Sequence, residues 1–171
     1  METERLLMRP FEPGDDEAIF AYSSDPENTR YMLWDTARTI EDTRAFLNAE
    51  IKKYATGKNY DYSLILKPEN KLIGAGGADM GEGWFSHMAE IGYILNKKYW
   101  GKGYAAEAMR ALADYLFTHK DIRRIQAKHF VGNDASGRVM EKIGMKYEGT
   151  LKDYVFVRSA LYSVKMYGML K

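Results

Sequence analysis

Between residues 98 and 105 the chain reads Lys-Tyr-Trp-Gly-Lys-Gly-Tyr-Ala. Gly101 and Gly103 carry no side chain, so an anion can approach the bare main chain between Lys98 and Lys102. A glycine turn that opens a helix is a ready anion site. The first helical N–H groups lack intrahelical partners, and the helix dipole adds about half a positive charge there. The turn therefore points to a phosphate-bearing ligand. A nucleotide P-loop would need G-x-x-x-x-G-K-[ST], which is missing. The dinucleotide fingerprint G-x-G-x-x-G is met only with Ala106 in place of its third glycine, and the flanking chain does not alternate strand and helix as that fold requires.

Other residue types near the turn could carry proton chemistry. Glu90 lies in Ala89-Glu-Ile-Gly-Tyr93, on the strand entering the turn, and its carboxylate could accept a proton. Burial beside apolar neighbours would push its pKa up. Ser136, in Asn133-Asp-Ala-Ser136, could donate one. Each also has an ordinary use, Glu90 as a solvated strand residue or in a structural ion pair, and Asn133 and Ser136 as helix caps. Tyr147 and Tyr154 are rival acids, weakened by the 13 tyrosines in the chain. Tyr31, Trp34, Trp84 and Phe85 could enclose a ligand, since aromatics can cage a cation; the alternative is plain packing. Trp100, inside the turn, is expected to pack beneath it.

These residues need a scaffold, and the apolar spacing supplies one. Leu6 and Met8 begin a first strand, and a helix follows from Pro13-Gly-Asp-Asp16 to about Ser23. Thr39 is an N-cap for a helix carrying Ile40, Phe46, Leu47, Ile51 and Tyr54, which Gly57 would stop. Strands are expected at 61–66, 72–79 and 88–95, the last two joined by a hairpin at Gly81-Glu-Gly83. After the turn, Ala106, Met109, Leu112, Ala113 and Leu116 stripe one face of a helix over 105–118. A strand over 125–131, a short helix over 133–143 ending at Gly144, and strands over 146–157 and 160–170 complete the chain. This order predicts one domain, residues 1–171, built as an α/β or α+β sheet of six or seven strands.

Composition excludes several classes. The chain has 171 residues, 46% of them apolar, with no cysteine and three histidines. Disulfides, thiolate metal sites and a cysteine nucleophile are thereby removed, and metal catalysis is disfavoured. No apolar run approaches the length of a membrane span, and the acidic start Met1-Glu-Thr-Glu4 does not read as a signal peptide. A cytoplasmic protein is the expectation. The net charge of +1 speaks against a general nucleic-acid binder. Residues 1–90 hold 10 Lys+Arg against 17 Asp+Glu, and residues 91–171 hold 15 against 7. That split would suit an anionic cofactor beside the basic half and a cationic amine beside the acidic half; chance sorting is the alternative.

Taken together, these segments resemble the GCN5-related N-acetyltransferase (GNAT) superfamily. Lys98-Tyr-Trp-Gly101-Lys-Gly103 is similar to its Q/R-x-x-G-x-G/A turn, with Lys at the first position. Ala89 to Tyr93 looks like its entry strand, Asn133-Asp-Ala-Ser136 its N-x-x-S, and Glu141-Lys-Ile-Gly-Met145 its E-K-x-G-F. Glu4 to Pro10 looks like its first strand. The set most resembles the branch that acts on ribosomal-protein N-termini, together with relatives acting on small amines. The resemblance implies a mixed, mostly antiparallel sheet flanked by about four helices. It implies acetyl-coenzyme A as donor, held by Ile91, Gly92, Tyr93 and Ile94 on the strand, by Lys98, Trp100, Gly101, Lys102, Gly103, Tyr104 and Ala105 at the turn, and by Asn133, Ser136 and Arg138. Glu90 would be the base, Ser136 the acid for the departing thiolate, and backbone N–H groups at Ile91 or Gly92 the oxyanion donors. The acceptor would be an amine, on a protein N-terminus or a small molecule, attacked directly in a ternary complex, in a monomer or homodimer. Two departures stand out. Val155 occupies a position where some relatives carry an acid, so either Asp153, two residues earlier on the same strand face, substitutes or this chain uses Glu90 and a different acceptor; and Ser163 replaces a frequent Asp. The competing readings are a non-catalytic acyl-coenzyme A sensor and, more weakly, a nucleotide-binding protein.

Overall fold

A computed structural model describes residues 1–54 and 60–171; the expected helix stop at Gly57 lies outside the described residues. Seven strands form one sheet in the order β1-β2-β3-β4-β5-β7-β6. They span Leu6–Arg9 (β1), Tyr62–Leu66 (β2), Lys71–Met80 (β3), Met88–Leu95 (β4), Arg124–Phe130 (β5), Lys146–Val157 (β6) and Ala160–Leu170 (β7). The helices are Asp16–Ser23 (α1), Pro26–Thr29 (α2), Ile40–Tyr54 (α3), Tyr104–His119 (α4) and Asp134–Lys142 (α5). All neighbouring strands run antiparallel except β4 and β5, which are parallel. The mixed sheet and interleaved helices agree with the expected class. The short α2 was not foreseen in the irregular stretch 25–35. Its start follows from Asp25, whose carboxylate accepts the Glu27 N–H at 2.9 Å, and from Pro26 at the first helical position.

Helices cover both faces of the sheet. The stripe Ala106, Met109, Leu112, Ala113 and Leu116 of α4 packs on Leu64, Ile73, Ile91 and Ile125 in the main core. On the opposite face Ile19 and Tyr22 of α1 and Leu47 of α3 pack on Ile65 and Leu72. Because β2 is covered on both sides, all five of its residues are buried, and its sequence shows no alternation.

A buried polar node ties the second layer down. Asp15 accepts two bonds from Arg9, at 2.7 and 2.8 Å, and one from Ser63 Oγ at 3.0 Å. Burial pushes the Asp15 carboxyl up, but these donors and the Glu12 N–H outweigh it and hold it below its usual range.

Candidate active site

The site is built around a fork in the sheet. Parallel pairing of β4 with β5 stops at Glu90↔Gln126. Beyond it β4 runs on beside β3 to Leu95, and β5 runs on beside β7 to Phe130. Between them one edge of β4 is left without a strand. The Gly81 N–H donates to the Met88 carbonyl and the Asn96 N–H to the Ile73 carbonyl. Even-numbered residues of β4 thus turn their amides to β3, and odd-numbered ones turn theirs to the fork. Tyr93 is the first residue past the last rung whose N–H faces the opening, whereas the Gly92 N–H faces β3. Local spacing could not reveal this phase.

At the far end of β4 the glycine turn forms as its residue types require. Asn96 accepts the Lys98 N–H at 3.1 Å and starts a single 3-10 turn over Lys97–Tyr99. Gly101 and Gly103 follow at φ +75° and +84°, a region that L side chains rarely adopt, and Gly103 is the N-cap of α4. A side chain at Gly101 would point into open space. Trp100, expected to pack beneath the turn, is 47% exposed and anchors its indole N–H on the Leu95 carbonyl at 2.8 Å. Arg5 Nη2 and Lys142 Nζ lie 3.5 and 3.6 Å from where a Cβ on Gly103 would stand. Glu107, in the first turn of α4, would oppose an anion there. Burial pushes its carboxyl up, but bonds from Thr3 and Arg5 outweigh that, and the Arg5 guanidinium, 2.6 Å away, balances its charge. Bare amides flanked by Lys142 and Arg5 fit a pyrophosphate; neither side chain was singled out from the sequence.

The start of α5 forms the other wall of the fork. Asn133 caps it, its side chain accepting the Ser136 N–H at 3.4 Å. The Tyr93 hydroxyl lies 2.8 Å from Ser136 Oγ and 3.0 Å from the Ser136 carbonyl oxygen. Burial pushes this phenol up to about 12, the Ser136 bond pulling the other way, so it stays protonated at neutral pH. Tyr93 was expected on the strand that holds the donor, with no role foreseen for its hydroxyl, which here bonds Ser136. The rival acids Tyr147 and Tyr154 are more than half exposed. Arg138 is exposed on the next turn of α5.

On the face away from α4, the fork opens into a cleft of about 920 Å³. Its floor is bare where Gly77 and Gly92 are paired across β3 and β4. Asp79 and Glu90 stand directly opposite each other beside that floor. Like charges facing across a sheet are unfavourable, and the Lys128 ammonium beside Glu90 offsets part of that repulsion. Glu90 accepts from Gln126 Nε2 at 3.0 Å and is ion-paired to Lys128 Nζ. The apolar setting expected for Glu90 is therefore not what surrounds it. Asp61 covers the glycine floor so closely that a Cβ on Gly77 would overlap its carboxylate. Burial, then Glu50 and Asp79, push the Asp61 carboxyl up to about 6 against the pull of Lys53. With Asp35, Asp42 and Glu50, six carboxylates line the cleft against Arg38 and Lys53.

Of the four aromatics expected around an acceptor, Trp34 lines this cleft, beside Met32. Tyr31 turns away to bond the Gly132 carbonyl at 3.2 Å and to pack on Phe130. Trp84 and Phe85 are 93% and 63% exposed, in the 3-10 turn at the β3–β4 connection, and contribute nothing to the lining. Asp153 is exposed at a bulge of β6, with φ +50° and its N–H on Ser163 Oγ. The alternation that would place it on the face of Val155 breaks there. One residue with no forecast role joins the two halves of the site: buried Asn28 donates to the Leu95 carbonyl at 2.6 Å and accepts the Lys97 N–H at 3.0 Å.

A family model for the acetyltransferase (GNAT) domain matches residues 5–146. The chain belongs to the GNAT acetyltransferase family. This GNAT protein is 34% identical over 169 residues to the uncharacterized N-acetyltransferase p20 of Bacillus licheniformis, a match spanning 99% of this chain and 94% of that one. A GNAT-family acetyltransferase structure from Bacillus anthracis has a TM-score of 0.89 and 36% identity, over 99% and 97% of the two chains. The ribosomal protein uS5-alanine N-acetyltransferase of Escherichia coli is 27% identical over 164 residues, 92% of this chain and 83% of that one. Two more distant structures of the fold, with TM-scores of 0.85 and 0.88, hold coenzyme A and acetyl-coenzyme A. Acetyl-coenzyme A is the donor of this family. Among the described residues no helix is long and apolar enough to cross a membrane.

Proposed function

We propose that this GNAT enzyme transfers acetyl from acetyl-coenzyme A to a primary amine carried by a cationic acceptor, by direct attack in a ternary complex. The single observation behind this is the two-sided fork. One side offers an amide-lined turn with basic flanks, and the other opens into a cleft lined by six carboxylates. The donor supplies an acyl thioester. The Gly101–Gly103 turn and the N-terminus of α4 take its pyrophosphate, and the free edge of β4 pairs with its amide-bearing arm as a strand would.

An ammonium has no lone pair, so the acceptor must lose a proton before attack. Glu90, on the cleft face, accepts that proton directly or through water, and Gln126 and Lys128 fix its orientation. Asp61 sits over the glycine floor and offers a second carboxylate for the cationic acceptor. The Tyr93 N–H, free of the ladder, donates to the oxygen on which charge builds. Ser136 Oγ, bonded to the Tyr93 hydroxyl, delivers a proton to the departing sulfur. The chain has no cysteine, so no thiol acyl-enzyme is needed or available.

The test is Glu90→Gln, read by free-thiol release and by acetyl-coenzyme A titration. Turnover should fall by about 10²–10⁴-fold while donor affinity stays within about twofold. Unchanged turnover would remove Glu90 as the base. Donor binding in a wild-type protein that acetylates no amine would favour the sensor reading.

A further inference from the structure

The tip of the β6–β7 hairpin breaks a local rule. Val157 pairs with Ala160, so the loop is the two residues Arg158 and Ser159, at φ +50° and +59°. A two-residue turn of this hand favours Asn and Gly, because positive φ strains other side chains. Arginine and serine at these positions carry that strain, and the arginine side chain shows what offsets it.

The Arg158 guanidinium reaches back across the sequence to the loop after α2. Nη2 lies 2.6 Å from the Trp34 carbonyl oxygen, 3.1 Å from that of Met32 and 3.3 Å from that of Thr29. Nη1 lies 3.3 Å from the Arg30 carbonyl oxygen, and Nε lies 3.4 Å from Asp35 Oδ1. Four main-chain carbonyls and one carboxylate thus converge on one planar fork, which a lysine ammonium could not span. The loop they belong to presents Met32, Trp34 and Asp35 to the cleft. Its other end is tied to the donor turn through Asn28.

We propose that Arg158 is a positioning residue for acceptor recognition, the hairpin tip clamping the 29–35 loop so that Trp34 and Asp35 face the cleft. This rests on the reading of the cleft as the acceptor site. Holding a loop by its carbonyls fixes its path whatever its side chains are. Acceptor preference can then vary at Met32 and Trp34 without loss of the clamp. Among the described residues Arg158 bonds only to residues 29–35, and the donor turn is held to that segment through Asn28, which the clamp does not touch, so donor affinity should change little.

The experiment uses the full chain and the variants Arg158→Gly and Arg158→Lys. Glycine accepts the positive φ, so the hairpin persists without the clamp. In Arg158→Gly, hydrogen exchange of the amides in residues 29–37 should quicken by about tenfold or more, with melting temperature nearly unchanged. With n-butylamine, spermidine and an alanyl tripeptide as acceptor probes, the acceptor KM should rise by about tenfold. The acetyl-coenzyme A dissociation constant should stay within about twofold. Arg158→Lys should fall between the two proteins. Unchanged exchange in 29–37 would overturn the clamp. Faster exchange with an unmoved acceptor KM would overturn its role in recognition, as would a donor affinity that falls in step. If the wild type turns over none of the three amines, it is the acceptor reading that fails, and the exchange result still judges the clamp.

Discussion

Replacing Asp61 with Asn should make the protein more stable and its acceptor binding worse. The Asp61 carboxyl is pushed from 3.8 to about 6, by burial first and then by Glu50 and Asp79. A group with a raised carboxyl pKa binds its proton more tightly when folded. As pH climbs through the unfolded value the unfolded chain ionises first, so stability is lost between about pH 4 and pH 6 and the full deficit persists above. A shift from 3.8 to about 6 corresponds to about 3 kcal/mol at pH 8. By the same relation about half of that remains at pH 5, and little remains near pH 4. Asn keeps the shape and removes the charge. For a chain of this size the gain should appear as a rise of about 6–12 °C in melting temperature at pH 8, shrinking by about half at pH 5. Paired melts of the two proteins across this range read it directly. A cationic amine should meanwhile show a higher KM with the Asn variant. A melting difference that is flat with pH, or a variant less stable at pH 8 than at pH 5 relative to wild type, would refute the electrostatic account of this cleft.

Other perturbations separate the two sides of the fork. Gly101→Val puts a β-branched residue at φ +75° and fills the space over the turn. Calorimetry should show acetyl-coenzyme A affinity falling by about tenfold or more, beyond the cost of about 1–2 kcal/mol in stability expected from the backbone alone. Tyr93→Phe removes the hydroxyl 2.8 Å from Ser136 Oγ; turnover should fall by about tenfold or more with donor binding kept, and Ser136→Ala in the same background should add little, because the two act as one unit.

The elements of the proposed donor side were legible because they are local. Two glycines, the helix they open and the strand before them are adjacent in sequence, and the phosphate chemistry follows from main-chain geometry. The faces of the site were not. Alternation along β4 says that Glu90 and Ile91 point oppositely, but which one meets the cleft depends on α4 and α5 packing on the other side. The amide phase is likewise set by the register with β3, which places the Tyr93 N–H rather than that of Gly92 in the opening. Acceptor-side residues come from distant parts of the chain. Asn28 bonds a residue 67 positions away, and Arg158 bonds carbonyls up to 129 positions away, contacts that no periodicity encodes. Asp61 carried no motif, and its carboxylate matters because Gly77 leaves it room. One signal was available and unused: a hairpin with Arg-Ser at its tip, where Asn-Gly would be the ordinary choice, marks a side chain held elsewhere. Trp84 and Phe85 are the reverse case: aromatic character put them forward, and the structure leaves both exposed and outside the cleft lining.

The most direct test of the account is mass analysis of products after incubating the full chain with acetyl-coenzyme A and a graded set of amines, cationic, neutral and anionic. The account predicts acetylated product that requires the enzyme, is greatest for acceptors bearing a further positive charge, and is suppressed by Glu90→Gln without loss of donor binding. Equal acetylation of anionic and cationic amines, or thiol release that continues at the same rate with no amine present, would contradict it.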